Sequence, residues 1–250
     1  MVFSVKEWYA QAKKYTAYIV VLIILMAGFF YRKTLSRRQL EAAAKDNNVY
    51  KQAHTVFLNA GLHGKTKEEK RKYLLNDFTM DCTLGDAHAE ISIIDHSSFS
   101  CKYCRKMRPE IRKILQEYVI DRKIAHYSLR LNYGVKNIPV GAFLQCSKPE
   151  NRLEIAEKIF ENGNLEKIED IFSFLVELGK EYDMNEEYVN SCIRDGDLYR
   201  KIIYMQQNNR EAFNVNATPI LLINNQEKVG YQTHGQIRDT IENILKERQK

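Results

Sequence analysis

The sequence predicts an α/β domain whose elements run βαβ, then a helical insertion, then ββα, carried behind an N-terminal transmembrane helix and a helical stalk. Three observations predict it. An apolar, β-rich run at 89–95 leads into two cysteines spaced C-x-x-C, after which the apolar residues recur with helical period. A wholly helical pattern fills about 140–213. Thr218-Pro219 then opens a short hairpin followed by a closing helix.

Hydrophobic residues at 44% and charged residues at 28% give a globular balance and exclude a disordered chain. The formal charge of +6 suggests nucleic-acid binding only until it is located. Lys6, Lys13, Lys14, Arg32, Lys33, Arg37 and Arg38 face Glu7 alone within residues 1–38, so the whole excess sits there and the remainder is neutral. With no basic domain, nucleic acid is not an expected partner.

That basic flank encloses an uncharged run from Tyr15 to Tyr31, at the short end of what spans a bilayer. A cleaved signal peptide needs a small-residue site close by, whereas Ala42-Ala43-Ala44 lies beyond four basic residues. A buried core helix lacks an amphipathic stripe here. Residues 1–31 therefore read as a cytoplasmic tail and uncleaved signal-anchor. The flanking charges taken alone favour a cytoplasmic C-terminus; the chemistry argued below requires the opposite.

Residues 32–80 read as a stalk or connector. Leu40, Ala43, Asn47, Tyr50, His54, Phe57 and Gly61 form a heptad-like stripe, either a solvated helix or a self-associating one that makes a homo-oligomer. Gly61 and Gly64 break it, and Thr66 with Glu69 reads as a capping box for a second short helix. The domain proper is placed at 81–250. Within it, Ala89–Asp95 is a central strand, Arg105–Val119 a helix and Ile124–Leu131 the next strand, paired in parallel with the first. In the insertion Pro149 suits a first turn, Asn185 an N-cap, and Gly163 and Gly196 stops. Ile220–Ile223, the turn Asn224-Asn225 and a strand around Lys228–Gln232 make the hairpin, and Gln236 to about Lys246 the closing helix.

Cys101-Lys-Tyr-Cys104 lies at the strand-to-helix junction. Two intervening residues in a first helical turn bring the sulfurs within bonding reach. The first sulfur is left at the helix N-terminus, where unpaired N–H groups and the dipole favour a thiolate. Cys101 is the expected attacking thiolate and Cys104, one turn deeper, the resolving thiol. A zinc site is the competing reading, but Cys82, Cys146 and Cys192 are isolated and no close His pair exists. No metal and no other cofactor is called for. Pro219, read on its own, is an ordinary trans proline opening an edge strand.

The stretch from Gly85 through Cys101 and Cys104 to Ile111, with Pro109 five residues after Cys104, resembles the active-site region of the DsbA-like thiol–disulfide oxidoreductases of the thioredoxin superfamily. Val215–Asn225 resembles that family's loop with a cis proline facing the disulfide. The likeness covers about 83–247. It implies a thioredoxin fold, a cis Pro219, and pairing of the Thr218 backbone with an extended substrate. It also implies a structural disulfide between Cys146 and Cys192, the alternative being two buried free thiols. Asp95 matches a buried acidic residue that helps move the inner thiol's proton; the alternative is a solvent-facing strand end. His96 and Ser97 replace aromatic residues, which alters the surface expected around the site.

The resemblance further implies an enzyme in the bacterial inner membrane, with its catalytic domain facing the periplasm. It would form or exchange disulfides in cysteine-containing proteins and be reset by a membrane or soluble redox partner. Thr218 resembles isomerase- and reductase-type members, so an oligomeric protein disulfide isomerase is the close alternative. A non-catalytic peptide-binding assembly factor is the more distant one.

Overall fold

The computed structural model describes residues 62, 64–162, 165 and 170–248. The expected membrane-spanning helix, the stripe at 32–61 and the stop at Gly163 lie outside them. Among the described residues no helix is long and apolar enough to cross a membrane.

In chain order the elements are α1 (Lys67–Leu74), β1 (Cys82–Leu84), β2 (Ile91–Ser97), α2 (Lys102–Ile114), β3 (Ala125–Leu131), α3 (Ile138–Cys146), α4 (Arg152–Glu161), α5 (Ile171–Lys180), α6 (Glu186–Cys192), α7 (Gly196–Phe213), β4 (Ile220–Ile223), β5 (Gln226–Val229) and α8 (His234–Arg248). The strands form one sheet in the order β1-β3-β2-β4-β5. β2 pairs in parallel with β3 and antiparallel with β4, so β2 is central and its run of apolar residues is buried on both faces. Alternation along β4 shows the two faces: Leu221 and Ile223 join the core with α2 and α8, while Ile220 and Leu222 join a second cluster with Phe213 and Leu74. This is the thioredoxin-like arrangement, with the helical insertion α3–α7 between β3 and β4.

Local signals explain most boundaries. Thr66 and Glu69 form a reciprocal capping box at α1, and Asn185 accepts from the Tyr188 N–H at the start of α6. Gly85 has φ +93°, and a Cβ there would meet the Ala125 carbonyl oxygen at 2.5 Å, so glycine permits the close approach of this turn to β3.

Several expectations need correction. Residues 62–80 are not a free connector. Leu62 and Leu74 are buried in the second core cluster and α1 packs on α7, so the domain begins before residue 81. The lock is electrostatic: buried Arg130 on β3 pairs with buried Asp81 at 2.7 Å and donates to the carbonyls of Leu74 and Asp77, both at 3.0 Å. β1 escapes sequence reading because three residues carry no periodic signal. Gly196 starts a helix, since Asp195 caps α7 by accepting from the N–H groups of Asp197 and Leu198. β5 lies at Gln226–Val229, two residues earlier than expected, because Asn224 and Asn225 both adopt positive φ and turn the chain at once.

Cys146, at the end of α3, is disulfide-bonded to Cys192, at the end of α6, across 46 residues of sequence. Cys82 is buried and its thiol is pushed up to about 12, by desolvation first and Asp81 second, so it stays protonated and out of reach of another chain.

Arg130→Ala is expected to lower unfolding stability by about 3–5 kcal/mol, because it strands a buried carboxylate and two carbonyls. Urea denaturation checks it: the midpoint falls, and the double variant Asp81→Ala/Arg130→Ala loses clearly less than the sum of the two singles.

Candidate active site

The site begins with a helix cap. β2 ends at Ser97, a turn closed by the Cys101 N–H donating to the Ser98 carbonyl (3.1 Å) follows, and α2 starts at Lys102, so the C-x-x-C occupies its first turn. Arg105 braces the turn by donating to the Phe99 carbonyl at 3.0 Å. Cys101 is the N-cap itself, with φ −79° and ψ 115°, and its Sγ accepts from the Cys104 N–H at 3.2 Å. A sulfur thus fills the role usually played by a serine or aspartate oxygen.

The second half of the site arrives from far along the chain. His96 on β2 pairs with Ile220 on β4, which places the residues just before Ile220 beside the start of α2. There the Thr218–Pro219 peptide is cis, and the Cys101 thiol donates to the Thr218 carbonyl at 3.2 Å. Pro219 is held from its other side by the Gly230 N–H, which donates to its carbonyl at 2.8 Å.

The two cysteines differ in environment. Cys101 is partly exposed and Cys104 is fully buried. Burial pushes the Cys104 thiol up to about 12; Cys101 and the negative charge of Asp95 push the same way, while Ser97 and Thr218 pull back. Lys102 and Tyr103, between them, are exposed, and Lys106 lies over the Tyr231 ring at 4.8 Å.

Asp95 faces the interior, two residues before the end of β2, and is not a solvated strand end. Its Oδ2 accepts from Arg108 and from the Tyr127 hydroxyl, each at 2.8 Å. Desolvation raises its pKa above the ordinary carboxylate value, with Arg108 and Tyr127 opposing. Arg108 and Tyr127 were missed in sequence, as was Glu157 on α4, which accepts from the second Arg108 nitrogen. One signal existed: Arg108 lies four residues after Cys104, hence on the same helix face, inside an otherwise apolar stripe.

His96 and Ser97, whose replacement of aromatic residues was expected to alter the surface around the site, are both buried. His96 packs against Phe213 at 5.2 Å between ring centres, and burial beside Arg130 and Arg71 lowers its pKa well below the usual value. The imidazole is a neutral core group. Cys146 and Cys192, bonded to each other, are not free to serve as metal ligands beside the site.

A thioredoxin family model matches residues 77–243. No curated protein matches the chain. Among solved structures, α-DsbA1 of Wolbachia pipientis is similar at 22% identity with a TM-score of 0.62, covering 72% of this chain and 96% of that one. Oxidised BdbD of Bacillus subtilis is similar at 19% identity and 0.61, covering 69% and 96%. DsbA of Chlamydia trachomatis is similar at 17% and 0.59, covering 67% and 91%. At these identities the likeness establishes the fold.

The raised Cys104 thiol yields a direct expectation. A higher pKa means less thiolate at pH 8, so in a Cys101→Ala variant Cys104 is alkylated by iodoacetamide about tenfold or more slowly than a free cysteine. Mass spectrometry of timed samples in native buffer, with full labelling after denaturation, checks it.

Proposed function

The chain belongs to the thioredoxin family, and from that premise we propose that it is a thiol–disulfide oxidoreductase of DsbA type acting on cysteine-containing proteins. One observation carries the reading. The Cys101 sulfur sits at the mouth of α2, held by the Cys104 N–H on one side and facing the carbonyl before a cis proline on the other, with its partner buried one turn deeper.

The chemistry follows from that placement. In the oxidised state a substrate thiolate attacks the Cys101 sulfur. The Cys101–Cys104 bond breaks, its electron pair passes to Cys104, and Cys104 takes up a proton. A second substrate thiolate then attacks the substrate sulfur of the mixed disulfide, and Cys101 leaves as a thiolate. The product carries a new disulfide and the enzyme has gained two electrons, which a redox partner must remove. Attack at Cys101 rather than Cys104 is enforced by access, since Cys101 is partly exposed and Cys104 is buried. When Cys101 leaves, the Cys104 N–H is already directed at its sulfur. Asp95 carries the proton of Cys104: it is buried, its charge acts on that thiol, and its pKa lies above the ordinary carboxylate value. The Thr218 backbone is the pairing edge for an extended substrate, and the exposed Tyr103 supplies apolar contact beside it.

The domain faces the periplasm behind the apolar run at 15–31, which anchors it in the inner membrane, with 32–61 as the spacer. The Cys146–Cys192 disulfide supports an oxidising compartment, where such bonds persist. Isomerisation is the second reading, favoured by a threonine before the cis proline. In it reduced Cys101 attacks a wrong disulfide and the mixed disulfide resolves within the substrate.

Oxidation of reduced ribonuclease, compared with refolding of scrambled ribonuclease, is the deciding pair of assays. The expected result is activity in the first, a loss of about a thousandfold or more in Cys101→Ala, and mixed disulfides trapped by Cys104→Ala. Activity confined to scrambled substrate selects isomerisation; a Cys101→Ala protein that still functions in cells points to a non-catalytic assembly factor. Protection of the domain from protease in spheroplasts would refute the periplasmic placement.

A further inference from the structure

Beneath the cysteine pair lies a chain of charges that ends on the helical insertion. Arg108 Nη1 donates to Asp95 Oδ2 and to the Tyr127 hydroxyl, both at 2.8 Å. Arg108 Nη2 donates to Glu157 Oε1 on α4. Glu157 Oε2 accepts in turn from Arg112, at 3.1 Å, and Arg112 reaches Glu161 at 2.9 Å near the surface. Asp95 and Arg108 are buried, with the side chains 0% and 3% exposed, while Glu157 is 15% exposed.

An arginine can grip a carboxylate with two parallel bonds, and that grip is the stronger one. Here it does not. Asp95 is held through Oδ2 alone, and Asp95 Oδ1 is buried with no hydrogen-bond partner among the described residues. The nitrogen that would complete a two-bond grip is already engaged by Glu157. A carboxylate with one oxygen tied and the other bare keeps a place for a proton; the same group gripped at both oxygens does not.

We propose that Glu157 is a positioning residue for the exchange reaction: by holding Arg108 Nη2, it keeps the guanidinium on one oxygen of Asp95 and leaves the other free to carry the proton that Cys104 gains and loses. The inference rests on the exchange reading above and assigns the helical insertion a part in it. The groups that face Asp95 are Arg108 and Cys104 from α2, Tyr127 from β3 and Glu157 from α4. From β4 the facing residue is the apolar Leu221. The proton balance is that of the oxidation step: one proton passes to Cys104 as the Cys101–Cys104 bond breaks and returns when the pair is reoxidised.

The test uses the full chain in detergent micelles, labelled with 13C at the aspartate carboxyl, with Asp95→Asn to assign the signal. In Glu157→Ala, Arg108 closes on both oxygens of Asp95, and the Asp95 titration midpoint falls by about one pH unit. Glu157→Gln keeps an oxygen for Nη2 without the charge, and the midpoint falls by less than about half a unit. No displacement in Glu157→Ala, or a displacement in Glu157→Gln as large as that in Glu157→Ala, overturns the proposal. Insulin reduction by the same wild-type preparation separates the two levels. An inactive chain overturns the exchange reading and this inference with it, whereas an active chain with unmoved midpoints overturns this inference alone.

Discussion

The site depends on one hydrogen bond, from the Cys104 N–H to the Cys101 sulfur. A helix leaves its first amides without intrahelical partners, and here a side-chain sulfur answers one of them. That single contact goes with which cysteine is nearer the surface, which is beneath it, and which sulfur a backbone amide is directed at. It also requires that α2 start at Lys102, because a helix beginning later would leave both sulfurs in a loop with no amides directed at either. The extended strand β2 and the turn after it serve this requirement by delivering Cys101 in an extended conformation at the end of the sheet.

The features written into local sequence were the legible ones. A C-x-x-C after a β-rich run, a Thr-Pro before four apolar residues, and Thr66 with Glu69 each express their structure within a few residues. What could not be read is everything that depends on residues far apart in the chain. The Asp81–Arg130 pair joins residues 49 apart, and it converts the apparent connector at 62–80 into part of the domain. Arg108 and Glu157 are likewise 49 apart, and nothing in α4's own pattern marks Glu157 as different from the exposed Glu154 and Glu161. His96 misled for the opposite reason. Its neighbours along the chain are next to the active site, but the strand's alternation turns it to the other face, against Phe213.

The Asp95–Arg108 and Asp81–Arg130 pairs share a form: each joins a buried carboxylate on or beside the sheet to an arginine that reaches outward for further partners. Burying charge is costly, and apolar side chains of similar volume are often as stabilising or more so. Stability alone therefore explains neither. For Arg130 the return is register, since its bonds to the Leu74 and Asp77 carbonyls fix where the segment before β1 crosses the sheet. For Arg108 no backbone carbonyl is held among the described residues. Its hydrogen-bond partners there are side chains that titrate, Asp95, Tyr127 and Glu157, and the Phe160 ring lies under its guanidinium at 5.2 Å.

That difference bears on what the insertion is for. If α3–α7 only enlarged the domain, apolar contacts such as Phe160 against Phe99 would suffice to attach it. A disulfide already ties its first helix to its fourth, so rigidity is provided by other means. A carboxylate from α4 placed on the buried Arg108 adds a link between α4 and α2, but neither task needs that link to be charged. It does alter the field at Asp95, and Asp95 lies within electrostatic reach of the thiol that must gain and lose a proton in each turnover. On the exchange reading proposed above, the insertion is part of the electrostatic setting of the cysteine pair as well as a cover over it.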